Sequence, residues 1–402
     1  TDEVREQLPV SVPERSPPRL FRSSGPRPIQ NKSGLRWAPL LFKLLIGIGV
    51  ASAVVAIQNR TSIHDDSGSG ALPRSADESR ATARQTSSQK SASRGPGRVA
   101  KPVQLLLHKF QAHDGAITKA AFAKAGQLIV TTGTDGGMKV WDTATRTLER
   151  SIEFDEGPAT ALATNGELAL TGHSEGVVAL WDLATGTKRQ SYKRNEASIW
   201  SLAFAGNTDR FWAASHDWAV VLWDTATPTA PLQVLQGHNN AVQAIAYATK
   251  GGLLATGGAD KSIKLWNADS LRLQRAYRKT RDFVTSLAFS PNGRLLAAGM
   301  LDGRMRVMST RSRRYRVTGA HDGAVVAVHF TDDGHLLTAS KDGALKIWNR
   351  GWRSSSRING SPSVPLTAID VSPDGRRIIS ADAQGNVHVW RGAADQQSAS
   401  NR

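Results

Sequence analysis

The strongest constraint on this chain is a sequence unit that recurs seven times between residues 103 and 392. Six units end in a tryptophan followed by a polar residue, and the fifth has Met308-Ser309 at the equivalent place. The spacing between these marks is 40–43 residues, as counted along the sequence. The marks are Trp141-Asp142, Trp181-Asp182, Trp223-Asp224, Trp266-Asn267, Met308-Ser309, Trp348-Asn349 and Trp390-Arg391. A fixed period of this length indicates a repeat architecture, in which each unit buries its apolar face against its neighbours.

Each unit reads as four short strands separated by turns. In the fourth unit, apolar runs at 241–247, 253–257 and 263–266 are followed by a further run at 271–277. Runs of this length, with turn residues between them, are typical of strands. The first turn recurs as Ser290-Pro291-Asn292-Gly293 and in related forms, where Pro presets φ and Gly accepts a positive φ. The sequence therefore predicts an all-β fold.

These residues resemble the WD40 family of β-propellers over about 290 residues. The resemblance implies a buried polar lock in each blade, built from a His, a Ser or Thr, an Asp and a Trp. Three units carry all four residues: His113, Thr131, Asp135 and Trp141; His238, Thr256, Asp260 and Trp266; His321, Thr338, Asp342 and Trp348. A buried Asp is costly unless it is hydrogen-bonded, which is the physical reason for such a set.

The other four units depart from this lock. The second has Glu175 in place of the Asp and no His before its first strand, and the third has Asp217 but Ala213 in place of the hydroxyl. The fifth has Met308 for the Trp, and the seventh has Gln384 at the turn, with Asp382 displaced. We therefore expect blades one, four and six to be the most rigid and blade five to be the least.

Seven units predict seven blades, and a ring of blades must be closed because open sheet edges are a liability. The seventh unit stops after its third strand. Residues 103–110 have the character of a strand and precede the first unit. We predict that this segment supplies the missing fourth strand of blade seven.

Ahead of the repeats lies an apolar segment at residues 37–57, which is about as long as a membrane-spanning helix must be. Its one charge, Lys43, is near an end and can reach the headgroups. A retained membrane anchor is our interpretation. A cleaved signal peptide is the alternative, because Ala51-Ser52-Ala53 has the small-residue form of a cleavage site, although 36 residues precede the segment.

The flanks of this segment set the expected topology. Arg22, Arg27, Lys32 and Arg36 precede it, whereas residues 58–72 carry Arg60 beside two aspartates. Positive flanks stay on the cytoplasmic side. We therefore expect a single-pass membrane protein with a cytoplasmic N-terminus and the propeller outside, in the periplasm if the source is bacterial, as in membrane-anchored bacterial WD40 arrays.

The resulting domain organisation is a seven-bladed WD40 propeller that follows one transmembrane helix and a disordered linker. We predict five parts: a disordered basic segment at 1–36, the transmembrane helix at 37–57, a flexible Ser-, Gly- and Arg-rich linker at 58–102, the propeller at 103–392 and a disordered tail at 393–402. The chain begins at Thr1, so we expect it to be processed or part of a longer sequence.

Composition and motifs argue against catalysis. The chain has no cysteine, which excludes thiolate metal sites and a cysteine nucleophile. Gly172-His173-Ser174-Glu175-Gly176 fits the G-x-S-x-G pattern, but Ser174 falls between two predicted strands, whereas a hydrolase elbow needs a strand, a turn and a helix. The histidines show no ligand spacing. We expect neither an enzyme, nor a cofactor, nor a metal.

The predicted partner surface is a set of residues that the repeat itself does not require. In WD40-like folds partners dock where the second turns and the starts of the first strands meet, and the third unit offers extra tryptophans there. Trp is enriched in binding hot spots. The predicted binding residues are Trp200, His216, Trp218, Arg281, Phe283 and Leu301. Trp200 and the nearby Trp212 have packing between blades as their alternative role.

These features predict a non-catalytic, membrane-tethered scaffold for protein–protein interaction in a complex, with no small-molecule substrate. An alternative is the sensor half of a larger signalling protein, with a kinase, caspase-like or TIR effector upstream on the cytoplasmic side. A weaker alternative is nucleic-acid binding, given a net charge of +17 and the cluster Arg311, Arg313, Arg314 and Arg316. The arginines are otherwise scattered, so nucleic acid is not the expected partner.

Overall fold

A computed structural model describes residues 106–392 apart from 195, 207 and 279. The predicted basic segment, transmembrane helix, linker and tail lie outside the described residues, as do residues 103–105. Within the described part, the helical structure is a short 3-10 turn at Lys124–Gly126, and no helix there is long and apolar enough to cross a membrane.

Four classes of strand recur around the ring. The first strands are β2 Ile117–Ala123, β6 Ala159–Asn165, β10 Ile199–Phe204, β14 Val242–Ala248, β18 Val284–Phe289, β22 Val325–Phe330 and β26 Leu366–Val371. The second strands are β3 Leu128–Gly133, β7 Leu168–His173, β11 Arg210–Ser215, β15 Leu253–Gly258, β19 Leu295–Met300, β23 Leu336–Ser340 and β27 Arg377–Asp382.

The remaining two classes complete each blade. The third strands are β4 Gly137–Asp142, β8 Val177–Asp182, β12 Val220–Asp224, β16 Ile263–Asn267, β20 Arg304–Ser309, β24 Leu345–Trp348 and β28 Asn386–Arg391. The outermost strands are β5 Leu148–Glu153, β9 Lys188–Lys193, β13 Gln233–Leu235, β17 Leu273–Tyr277, β21 Tyr315–Gly319, β25 Ser355–Arg357 and β1 Leu106–Gln111.

The described residues form seven antiparallel four-stranded sheets, which we number as blades one to seven in the order of their first strands. The first strands of neighbouring blades contact one another in a closed series, from β2 through β26 and back to β2. They are therefore the innermost strands of a ring. This confirms the all-β, seven-bladed propeller predicted from the repeat.

The core lies between blades rather than within them. Each of seven buried apolar clusters joins residues of two consecutive blades. The cluster that contains Trp141 joins blade seven to blade one. The repeat tryptophan always packs against the preceding blade, as Trp181 does with Val140 and Ile152. In blade five Met308 takes this place and is only 1% exposed. Each repeat of the sequence therefore contributes one apolar interface between two consecutive blades.

The ring closes through the two ends of the described chain. β1 pairs antiparallel with β28, with Leu106 opposite Trp390 and Gln111 opposite Asn386. The closing strand thus runs from Leu106 to Gln111 and extends one residue beyond the predicted 103–110. Phe110 contacts Trp141 of blade one in a tilted arrangement, with 5.0 Å between ring centroids, which ties the closing strand to the next blade.

Candidate interaction surface

A hydrogen-bonded chain links the four lock residues in blades one, four and six. In blade one the Trp141 indole N–H donates to Thr131 Oγ1 at 3.1 Å, Thr131 Oγ1 lies 2.8 Å from His113 Nε2, and His113 Nδ1 lies 2.8 Å from Asp135 Oδ2. Blades four and six repeat this chain with distances of 2.7–3.0 Å: Trp266, Thr256, His238 and Asp260; Trp348, Thr338, His321 and Asp342. The structure thus brings all twelve predicted lock residues together in three sets.

A neutral histidine fits this chain of bonds. The indole N–H donates to the threonine hydroxyl, the hydroxyl can donate onward to Nε2, and Nδ1–H can donate to the carboxylate. Burial lowers the pKa of His113 and of His321 despite the nearby carboxylates, which favours this neutral form. Burial alone would raise the pKa of Asp260, but hydrogen bonds from His238 and Ser262 lower it well below its ordinary value. The aspartate therefore carries the charge of the lock.

Blades two and seven have locks that the sequence pattern did not reveal. In blade two His173, on the same strand as Thr171, places Nε2 2.9 Å from the threonine Oγ1 and Nδ1 3.0 Å from the Gly157 carbonyl oxygen. Blade two therefore has a lock histidine, although it does not precede the first strand as in blades one, four and six. In blade seven Asp382 is fully buried and accepts bonds from His388 and Asn386. The repeat spacing does not reveal either histidine, because His173 lies on the second strand and His388 on the third instead of ahead of the first.

Blade three has an altered lock. Arg194 replaces the histidine as the partner of Asp217. Ala213 provides no hydroxyl for Trp223, and a small cavity of about 10 Å³ lies between them. Blade three therefore keeps its turn aspartate in an ion pair, although it lacks the indole–hydroxyl bond of blades one, two, four, six and seven.

One end of the central channel carries a ring of bulged residues. In every innermost strand the pairing register shifts across the second residue. These residues are Thr118, Thr160, Trp200, Gln243, Thr285, Val326 and Thr367. β-Bulges redirect side chains and are common next to functional sites. Trp200 is the aromatic member of this ring; it is half-buried, and its indole nitrogen has no hydrogen-bond partner among the described residues.

The turns between second and third strands lie beside this ring. In blade three the His216 amide donates to the Ser198 carbonyl oxygen at 2.9 Å, just ahead of β10, and other blades repeat the bond. We call this side of the ring the turn face. His216, within the turn, is exposed.

Trp218 is the most unusual residue of the turn face. It adopts a left-handed conformation with φ of 72° and is 51% exposed. Five other blades have glycine at this position, each with a positive φ: Gly136, Gly176, Gly303, Gly343 and Gly385. A bulky residue in this region is strained by about 1–3 kcal/mol. The chain thus keeps a large apolar side chain exposed at a site where glycine would be easier to accommodate.

Trp212 has a different role from Trp218. It is 1% exposed and packs in the apolar cluster between blades three and four, with Val242 and Leu254. Its alternative role as a packing residue is the correct one. Trp200 and Trp218, by contrast, both belong to the turn face.

The predicted residues of blade five do not join those of blade three. Arg281 is exposed and Phe283 and Leu301 are half-buried, one blade beyond the Lys261 turn of blade four. Lys261 Nζ lies 5.4 Å from the centroid of the Phe283 ring and 3.4 Å from Asp282. The predicted binding residues therefore form two groups, separated by the turn of blade four.

Ser174, the candidate nucleophile position, lies in the turn between β7 and β8. A strand, not a helix, follows it, so the geometry of a hydrolase elbow is not present at this turn. Its carbonyl oxygen accepts a bond from Ser198 Oγ at 2.9 Å, which links blades two and three.

Comparison with known proteins agrees with this architecture. A family model described as "WD domain, G-beta repeat" matches residues 104–142, 229–267, 272–308, 312–349 and 352–391. These segments leave out 143–228, which include the strands from β5 to β12.

Several curated proteins are similar to parts of the chain. The ribosome biogenesis protein WDR12 homolog of Ixodes scapularis is 28% identical over 293 residues, 72% of this chain and 55% of its own length. A guanine nucleotide-binding protein subunit beta of Zea mays is 30% identical over 157 residues, 36% of this chain and 41% of its own. The target of rapamycin complex subunit wat1 of Schizosaccharomyces pombe is 27% identical over 184 residues, 45% of this chain and 46% of its own.

The chain therefore spans about half or less of the length of these relatives. The matched segments, the seven sheets and the lock residues agree on one conclusion. This chain carries WD40 repeats, and its described residues fold into a seven-bladed β-propeller.

Proposed function

We propose that this protein is a non-catalytic interaction platform whose partner docks on the turn face of blade three. The observation that carries the proposal is Trp218, held exposed in a left-handed conformation where five other blades have glycine. Exposed, strained aromatic residues persist where they contribute to binding. Trp200 and His216 lie on the same face of the same blade and extend the proposed surface.

The names of the relatives support this proposal. Two of them are called subunits, one of a guanine nucleotide-binding protein and one of the target of rapamycin complex. Proteins named in this way work as parts of assemblies. We propose the same general role for this chain, with a protein as its partner.

The proposed function has a simple test. The full chain, solubilised in mild detergent, is used to capture partners in parallel as wild type and as the double variant Trp200→Ala with Trp218→Ala. We expect the double variant to lose a specific partner while its melting temperature is unchanged. Leu148→Ala with Leu273→Ala, which truncates two exposed apolar side chains on the outermost strands of blades one and four, provides the matched control. Equal capture of partners by wild type and the double variant would refute the proposal. A drop in the melting temperature of the double variant that accompanies its loss of capture would refute it as well.

We further propose that residues 37–57 tether this platform to a membrane, with the N-terminus cytoplasmic and the propeller on the other side. The length of the apolar segment and the basic residues before it support this topology. Extraction of membranes at high pH, followed by protease protection of the propeller, tests it. Recovery of the chain in the extracted supernatant would contradict the tether, and an effector domain upstream in the same gene would favour the sensor alternative.

A further inference from the structure

The hairpin formed by β20 and β21 on the outer edge of blade five carries a dense positive charge. Between Asp302 and Asp322 the sequence has six arginines and no acidic residue. Four of these arginines are exposed: Arg311, Arg313, Arg314 and Arg316. This edge lies on the outermost strand of the blade and is distinct from the turn face.

One arginine of this hairpin is buried in an unusual way. Arg306 is only 6% exposed, and its Nε and Nη1 atoms have no hydrogen-bond partner among the described residues. Arginine cannot lose its proton in a protein, so its charge stays. Burying a charged group whose hydrogen-bond donors are unpaired is costly in free energy.

The equivalent residues of other blades show that this position normally has a partner. Arg306 lies two residues before Met308, which takes the place of the repeat tryptophan in blade five. Lys139 and Lys346, at that position in blades one and six, donate to backbone carbonyl oxygens at 2.9 and 2.7 Å. Lys264 in blade four lies 3.3 Å from Asp260. In blade five the corresponding acid, Asp302, pairs with Arg304 instead.

The guanidinium of Arg306 stacks on an exposed aromatic ring. Its central carbon lies 3.9 Å from the centroid of Tyr315, which is 57% exposed. Stacking fixes the plane of the guanidinium, while its Nε and Nη1 atoms are buried and lack an acceptor among the described residues. The Tyr315 ring therefore orients the Arg306 guanidinium, whose Nε and Nη1 atoms lack a hydrogen-bond acceptor among the described residues.

The turn that carries the exposed arginines is held by blade four. Arg275 donates to the carbonyl oxygens of Thr310 and Ser312 at 3.1 and 2.9 Å, and Tyr277 donates to Ser309 O at 2.9 Å. The turn amides of Arg311 and Ser312 donate to Ser309 Oγ. A loop ordered in advance loses little entropy when it binds.

We propose that this hairpin is a binding site for a phosphate group, with Arg306 as its buried anchor and the exposed arginines of the turn as its outer contacts. The planar N–H edge of a guanidinium pairs with two oxygens of a phosphate at once, which would satisfy Nε and a terminal nitrogen together. The surrounding positive charge attracts such an anion, and residues 303–321 contribute no carboxylate to offset it. Free phosphate and an anionic lipid headgroup share this chemistry.

The test is isothermal titration calorimetry of the full chain in neutral detergent at constant ionic strength. The probes are inorganic phosphate and micelles of the same detergent that contain phosphatidylglycerol. We expect saturable binding of at least one probe, weakened by about tenfold or more in Arg306→Met. Arg350→Gln with Arg353→Gln, on blade six, removes two exposed charges and is expected to change the affinity less than about twofold.

A second variant keeps the test decisive if Arg306→Met folds poorly. Arg311→Gln with Arg313→Gln changes only exposed side chains, matches the charge change of the blade-six control, and is expected to weaken binding more than that control. Binding of phosphate alone would identify a free anion as the ligand, and binding of the lipid micelles alone would identify a headgroup.

Three results would overturn the proposal. One is the absence of saturable binding with both probes. Another is an equal loss of affinity in the blade-five and blade-six variants, which would indicate attraction by net charge. The third is tighter binding of a single-stranded oligonucleotide than of both probes, with the same dependence on Arg306, which would assign the site to nucleic acid.

Discussion

His173 and Thr171 lie two residues apart on one strand, and their side chains are joined at 2.9 Å. Through this pair the Trp181 indole N–H is linked to the Gly157 carbonyl oxygen. We predict that His173→Phe lowers the free energy of unfolding by about 1–3 kcal/mol, because the buried Thr171 hydroxyl and the Gly157 carbonyl lose their partner. Urea unfolding measures the change.

Glu175 provides the control for this prediction. The repeat pattern places it at the position of the lock aspartate, but it is exposed. Glu175→Gln should therefore change the unfolding free energy by less than about 0.5 kcal/mol. If Glu175→Gln were as damaging as His173→Phe, the blade-two lock described above would be wrong.

Trp218 and Trp212 should respond oppositely to truncation. Trp218→Gly relieves a left-handed conformation, so we expect the unfolding free energy to stay constant or rise by up to about 1 kcal/mol. Trp212→Ala removes a buried side chain between two blades and should cost about 3–5 kcal/mol. Thermal unfolding of the two variants compares them directly, and a large loss in Trp218→Gly would place that indole in the core.

The propeller should lose stability in mild acid. Burial lowers the pKa of His113, His173 and His321 from the ordinary value of 6.5. Below that value the unfolded chain binds protons that the folded chain does not, so stability falls as the pH decreases from about 6.5. Asp260 and Asp342, whose pKa values are lowered, add a further loss when the pH falls through their unfolded value near 3.8.

Urea midpoints measured between pH 7.5 and pH 5 check this dependence. The variant His173→Gln, which cannot take up a proton, should show a shallower slope than the wild type. A midpoint that does not change over this range would contradict the neutral state assigned to the lock histidines.

Removal of the closing strand should destroy the ring as a cooperative unit. Deletion of 103–110 leaves β28 as an unpaired edge and removes Phe110 from Trp141. We expect calorimetry to show a broad transition of much lower enthalpy in place of a single sharp one. Deletion of 393–402 is the matched control and should leave the transition unchanged. A sharp transition at the original temperature in the first deletion would contradict this account of closure.

Asp370 joins blade seven to blade one, because its Oδ2 accepts a bond from the Phe122 amide at 2.8 Å. Burial raises the pKa of Asp370, which favours its neutral form. Asp370→Asn keeps an acceptor for the amide and should be tolerated, whereas Asp370→Ala leaves the amide unpaired and should cost about 1–3 kcal/mol. Urea unfolding of the pair tests this, and equal effects would show that the bond contributes nothing.

The sequence predicts the blades well because their spacing is carried by residues whose roles do not depend on distant neighbours. The repeat Trp and the turn Asp, such as Trp141 and Asp135, mark a strand and a turn in each unit that carries them. Counting the strands of the last unit shows that its fourth strand is missing. His173 could not be assigned in this way, because it joins the lock from the second strand instead of preceding the first.

The sequence pattern also could not predict which tryptophans of blade three are buried. Trp212 and Trp218 are six residues apart, and only the strand pairing and the backbone angle of the turn separate a packing residue from an exposed one. Likewise, the sequence shows an arginine at 306 but not that its Nε and Nη1 atoms are buried without a hydrogen-bond partner among the described residues. These properties depend on which residues the neighbouring blades present.

The pairing of Leu106 with Trp390 also determines how the ring would respond to mechanical load. The strands are antiparallel, so the segment that enters at Leu106 and the segment that leaves after Arg391 depart from the same end of the pair. A pull on the chain ahead of Leu106 would open the hydrogen bonds between β1 and β28 one after another, beginning beside Trp390, instead of loading them all together. The ring would therefore open at low force and always at the same seam.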